Sequence, residues 1–106
     1  MNNIKKLIFK TQTENETPPV NTSAYYSGTY VCTGGFVDIS SPILRGNIYY
    51  VGDFGDLSVT GVFTDPALTI PVPYTYIRTE TTPRYFMFVN TTTGSVGSVQ
   101  GEGDTC

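Results

Sequence analysis

The chain has no histidine, and that one absence removes Ser-His-Asp and Cys-His catalysis, imidazole general bases and most zinc sites. Charge is scarce too: Asp, Glu, Lys and Arg make up 14% of the 106 residues. The good helix formers are nearly missing, with two Ala, four Leu, three Lys and four Glu, so no segment carries a helical period. No stretch approaches the ~20 apolar residues of a membrane-spanning helix. The apolar run Leu7-Ile8-Phe9 follows a basic start but falls short of the ~7–15 residues of a signal peptide core. The expectation is a chain made and used without secretory export or membrane insertion. A net charge of −3 argues against nucleic acid as a partner, because phosphate binding calls for a basic surface.

What is present is β-forming. Seventeen Thr, ten Val, seven Ile and fourteen Tyr plus Phe suit a pleated, half-buried surface. The length fits one domain. Turn residues recur about every ten positions, as in a sandwich or barrel. Strands are expected over residues 28–32 and 36–39, with a loop at Pro42 and Gly46. A hairpin follows, pairing 47–51 with 57–63 across Asp53-Phe54-Gly55-Asp56. Further strands are expected over 74–79, with Tyr74, Tyr76 and Arg78 sharing a face, over 84–90 as the central strand, and over 95–100. The fold class is all-β: a small antiparallel β-sandwich or barrel-like domain with an extended N-terminal arm. Residues 1–23 form that arm and a polar linker containing Pro18-Pro19, and residues 24–106 form the β domain with a loose C-terminal tail.

Candidate functional residues are few. Cys32 and Cys106 are far apart, and neither has a neighbouring cysteine to make a metal knuckle. A disulfide is one reading, but a cysteine at the end of a tail is expected as a free thiol. Asp53 and Asp56 read as turn formers rather than as a calcium loop, which needs denser acids and a terminal Glu. Glycoside hydrolysis needs two carboxylates across a cleft, and so many short strands leave little chain to wall one, so no enzyme and no cofactor are expected. Tyrosine is abundant, and adjacent strand residues point to opposite faces, so Tyr49 or Tyr50, with Tyr74 or Tyr76, are expected in a contact between copies of the chain. That contact makes a homo-oligomer, a dimer ahead of a trimer. The arm Ile4-Lys5-Lys6-Leu7-Ile8-Phe9-Lys10 has strand character, with Ile4, Lys6 and Ile8 on one face and Lys5, Leu7 and Phe9 on the other. It suits either a first strand of its own domain or a strand added to a neighbour's sheet edge.

Three stretches carry a resemblance: Asn47-Ile48-Tyr49-Tyr50-Val51, Val62-Phe63-Thr64-Asp65-Pro66-Ala67-Leu68-Thr69-Ile70-Pro71-Val72, and Tyr85 to Asn90 with Thr93-Gly94. They resemble small β-modules of bacteriophage virion proteins. The middle stretch is similar to the recurrent Tyr/Phe-Thr-Asp-x-Ala-Leu-Thr-x-Pro element of tail, fibre and head-decoration proteins. The whole chain looks most like a head-fibre or capsid-decoration protein of crAss-like phages of Bacteroidales. The resemblance implies a structural, non-enzymatic virion component on the capsid surface, present in the host cytoplasm during assembly, with the major capsid protein or other virion proteins as partners. The basic arm, residues 4–10, then becomes a candidate capsid-docking segment. A tail-appendage module and a carbohydrate-binding adhesin domain are the alternatives.

Overall fold

β-Branched and aromatic residues recur along most strands of the computed structural model, which describes residues 18–80 and 82–106. The strands are β1 (Asn21–Thr33), β2 (Phe36–Tyr50), β3 (Tyr76–Thr79), β4 (Tyr85–Val89) and β5 (Val96–Gly101). All pair antiparallel in the order β2-β1-β3-β4-β5, and no helix occurs among the described residues. The all-β expectation holds. β1 begins at Asn21, ahead of Ala24.

Two long strands replace the shorter pieces expected. β2 runs unbroken past Pro42 and Gly46, where a loop was predicted. Proline lacks an N–H, and an edge strand tolerates it because that group has no ladder partner to serve. The irregularity is absorbed as bulges: Arg45 stands between the pairs Tyr25–Gly46 and Tyr26–Leu44, and Ser41 and Pro42 oppose Gly28 alone. Ser41 takes a positive φ of 54° there. Bulges bend a strand and increase its twist. The bend is made possible by Gly28, whose place a Cβ could not share: it would lie 2.5 Å from Ile39 Cγ1 and 2.6 Å from the Ser40 carbonyl oxygen.

The expected strand over 57–63 is instead an irregular bridging segment. Tyr49 and Phe63 exchange both backbone bonds, at 2.7 and 3.0 Å. On the segment's other side the Val62 N–H donates to the Gly94 carbonyl (2.8 Å) and the Val96 N–H to the Thr60 carbonyl (3.1 Å). Residues 60–63 thus bridge the β2 edge to the β5 edge of an otherwise open five-stranded sheet. Gly94 has φ of 82°, and a Cβ there would sit 2.8 Å from the Phe63 ring, so the bridge needs glycine twice over.

Register sorts the side chains. Tyr25 faces Thr79, and Ser27, Ile77 and Met87 form a row across β1, β3 and β4. These point inward, where Ile48, Phe54, Val59, Val62, Val72 and Val89 complete the core. On the outer face Tyr26, Arg78 and Phe86 form one row and Tyr76 pairs with Phe88. The bent tip of the β1–β2 hairpin folds over this face, and Val37 and Ile39 close a second cluster with Tyr76 and Phe86. β3, not the 84–90 strand, is the central one; β4 lies next to it.

The C-terminal tail is not loose, and its cysteine is not free. Thr105 pairs with Phe36, the Val37 N–H donates to the Asp104 carbonyl at 2.9 Å, and the Cys106 N–H donates to the Gly35 carbonyl at 3.0 Å. These bonds lay Cys106 beside Cys32, and the two form a disulfide. Sequence spacing carried no trace of this, because tail and hairpin tip meet only after the hairpin bends.

The Phe63–Val72 element is a hairpin turn organised by one carboxylate. Asp65 Oδ1 accepts the N–H groups of Thr69 (2.9 Å) and Ile70 (2.8 Å), and Oδ2 accepts the Thr69 hydroxyl. The Thr64 N–H donates to the Ile70 carbonyl (2.8 Å). The Thr69 hydroxyl first, and then the two backbone N–H groups, hold the Asp65 carboxyl below its ordinary value of 3.8. A carboxyl with a lowered folded-state pKa stabilises the fold fully above its unfolded value and loses that contribution as pH falls through the folded one. Wild type is therefore expected to be more stable than an Asp65→Asn variant near neutral pH, with the gap narrowing below pH 3.8. Urea unfolding followed at a series of pH values checks it; a gap independent of pH would mean that the charge on Asp65 is not what organises the turn.

Candidate functional site

The four tyrosines expected at a contact between copies lie in different places. Tyr76 is 3% exposed and belongs to the outer-face cluster, so it is not available for such a contact. Its ring is covered by Tyr30 (centroids 5.4 Å apart) and Phe88 (4.8 Å). Burial, and after it the neighbouring Tyr30 and Asp38, push its hydroxyl up to about 12. Tyr74 does not share that face. It precedes β3, outside the strand alternation, and packs on the inner core against Tyr25 with centroids 6.4 Å apart. The Arg45 guanidinium lies over its ring at 4.4 Å. Tyr49 is half-buried and holds Phe63 through its backbone. Tyr50 is half-buried and leans into the mouth of a cleft. The arm residues Ile4, Lys5, Lys6, Leu7, Ile8, Phe9 and Lys10 lie outside the described residues.

The cleft was not foreseen. It has a volume of about 490 Å³ and lies between the start of β1, the end of β2, the 52–55 loop and the turn leading into β4. Two short loops therefore wall what the strands alone would not. Asp53 and Asp56 act as the turn formers expected: Asp53 Oδ1 accepts the Gly55 N–H (2.8 Å), and Asp56 Oδ1 accepts the Ser58 N–H (3.0 Å). The turn presents Phe54 inward, 5% exposed, between Tyr50 (centroids 4.5 Å apart) and Tyr85 (5.6 Å). Asn21 pins the loop from β1, its Nδ2 donating to the Gly52 carbonyl at 2.9 Å. On the cleft floor the buried Thr79 hydroxyl accepts the Tyr85 N–H at 2.8 Å. Burial, and then the Asp53 carboxylate, raise the Tyr50 hydroxyl above its ordinary value, so it stays a protonated donor near neutral pH.

Compared with protein-family models, with curated proteins and with solved structures, the chain matches none. The chemistry must be read from the residues themselves. Among the described residues Asp53 is the one carboxylate lining the cleft, whereas glycoside hydrolysis uses two. Among the described residues no three His, Cys, Asp or Glu side chains converge as a metal site would need. What the arrangement offers is a walled, aromatic-floored recess with hydrogen-bonding groups at its rim. Phe54 and Tyr85 escaped the sequence reading because each looked like something else: Phe54 like a turn residue, Tyr85 like one member of an apolar strand.

Proposed function

We propose that this chain is a structural, non-enzymatic component of a bacteriophage particle, attached to the capsid by its basic arm as a head-fibre base or decoration protein. The observation that carries the proposal is the Phe63–Val72 element. Its resemblance to virion modules extends over a piece that folds as a self-contained, Asp65-centred turn. The shape is compatible with a mounted particle component. The domain measures 61 × 27 × 19 Å; the described chain enters at the end where Asn21 pairs with Tyr50, and the opposite tip is covalently closed by Cys32–Cys106. A tether at one end and a locked tip at the other suit a molecule that stands on a surface.

Deleting residues 1–10 is expected to leave a folded domain that is lost from purified particles, as read by immunoblot of gradient-banded phage. Wild-type occupancy by the truncated chain would overturn the docking role of Ile4 to Lys10. The proposal includes self-association, a dimer ahead of a trimer, with Tyr49 as the contact residue in place of the buried Tyr76. Light scattering of the purified chain reports it directly. The tail-appendage reading shares the same motif and is separated from the capsid reading by labelled antibody on intact particles.

A further inference from the structure

The recess beside the 52–55 loop has a composition that selects among ligands. Its floor is aromatic: Tyr50, Phe54 and Tyr85 lie in a row with centroid spacings of 4.5 and 5.6 Å. Its rim is polar, from Asn21, Asp53 and Thr82. Much of that polarity has no protein partner. The Tyr50 and Tyr85 hydroxyls bond to no other group among the described residues. Asp53 has one oxygen taken by the Gly55 N–H, leaving the other unbonded, and Asn21 has its amide nitrogen occupied and its oxygen free. Among the described residues no Lys or Arg lines the recess.

We propose that this cleft binds a neutral saccharide. Pockets that orient a small ligand combine an apolar, aromatic lining with a few placed polar groups, in volumes of roughly 300–1,000 Å³, and this one falls in that range. A pyranose ring has an apolar C–H face that lies on aromatic rings and a rim of hydroxyls that both donate and accept. The free Asp53 oxygen and the Asn21 amide oxygen accept from such hydroxyls, and the two tyrosine hydroxyls donate to them or accept from them. Other ligand classes fit less well. A phosphate, sulfate or uronate would meet the Asp53 carboxylate with no cation to offset it. A purely apolar ligand would strip water from that carboxylate and from two tyrosine hydroxyls without replacing their bonds. Tyr50 then serves the cleft rather than a contact between copies. This inference goes beyond attachment to a particle and does not depend on it.

The full-length chain is titrated, by saturation-transfer NMR and then calorimetry, with oligomers of glucose, galactose, mannose and N-acetylglucosamine, and in parallel with sulfated and uronic-acid oligomers. At least one neutral oligomer is expected to bind and the acidic ones not. The double variant Tyr50→Phe/Tyr85→Phe keeps both rings and removes two hydroxyls, so its affinity for that oligomer is expected to fall about tenfold or more. A thermal melt confirms that the variant is folded. Should it not fold, Asp53→Asn, which retains an oxygen for the Gly55 N–H, is expected to weaken binding, and the bound oligomer is expected to protect Tyr85 of the wild-type chain from nitration. The proposal is overturned if no neutral oligomer binds, if acidic oligomers bind better, or if removing the cleft hydroxyls or the Asp53 charge leaves affinity unchanged. Binding lost instead on Tyr30→Ala would overturn it too, by placing the sugar on the opposite face.

Discussion

Replacing Cys32 and Cys106 together with alanine is expected to lower the unfolding free energy by about 4 kcal/mol, because the bridge joins residues 74 apart in sequence and a cross-link of that span removes a large share of the unfolded chain's freedom. Small domains have roughly 5–15 kcal/mol in total, so the variant would stand near the limit of folding at physiological temperature. Local structure adds to the loss: without the bridge, residues 104–106 would rely on their hydrogen bonds with Gly35, Val37, Gln100 and Gly101. Urea unfolding of the double variant, and of wild type under a reducing agent, should give the same deficit. A loss below about 1 kcal/mol would show that the tail's backbone bonds hold the hairpin tip without the bridge.

Ile77→Ala is expected to cost about 2–5 kcal/mol, the range for deleting a buried branched chain whose cavity the surroundings only partly refill. Ile77 is fully buried in the central strand, flanked by Ser27 on β1 and Met87 on β4. Neither neighbour can move in without breaking its own register. Phe88→Ala removes a larger side chain, yet Phe88 is 42% exposed and part of its surface is already in water, so the smaller loss is expected there. Denaturant midpoints of the two variants, compared at unchanged m-values, decide the ranking. A larger loss at Phe88 would mean that the outer-face cluster, not the inner-face one, is the principal core.

The all-β class was legible because threonine, valine and aromatic side chains leave no helical alternative, and the turn at Asp53–Asp56 was legible because its residues make turn bonds locally. The rest depended on long-range geometry. Pro42 and Gly46 signal a break in any strand, but on an edge with bulges they mark only a bend. The 57–63 stretch alternates like a strand, yet it is held by bridges at Tyr49 and Gly94 whose positions only the folded sheet brings together. Tyr76 looked outward because nothing in the sequence says that the hairpin tip folds back to cover it. The candidate site was hidden for the same reason: Asn21, Asp53 and Tyr85 come from three separate stretches, and each has an ordinary local role.

The position of the disulfide also sets how the protein carries force. Tension between the N-terminal side and residue 106 passes along β1 to Cys32 and then across the sulfur atoms, bypassing everything in between. Of the described residues, those from Pro18 to Cys32 can pay out, about fifteen residues, or ~50 Å at full extension. Strands β2 to β5, the Asp65 turn and the 52–55 loop lie inside the covalent loop and cannot be unravelled from its ends, whereas the β1 residues Asn21 and Tyr25 lie outside it. Pulled this way, the molecule behaves as a short extensible leader fixed to a knot that does not run.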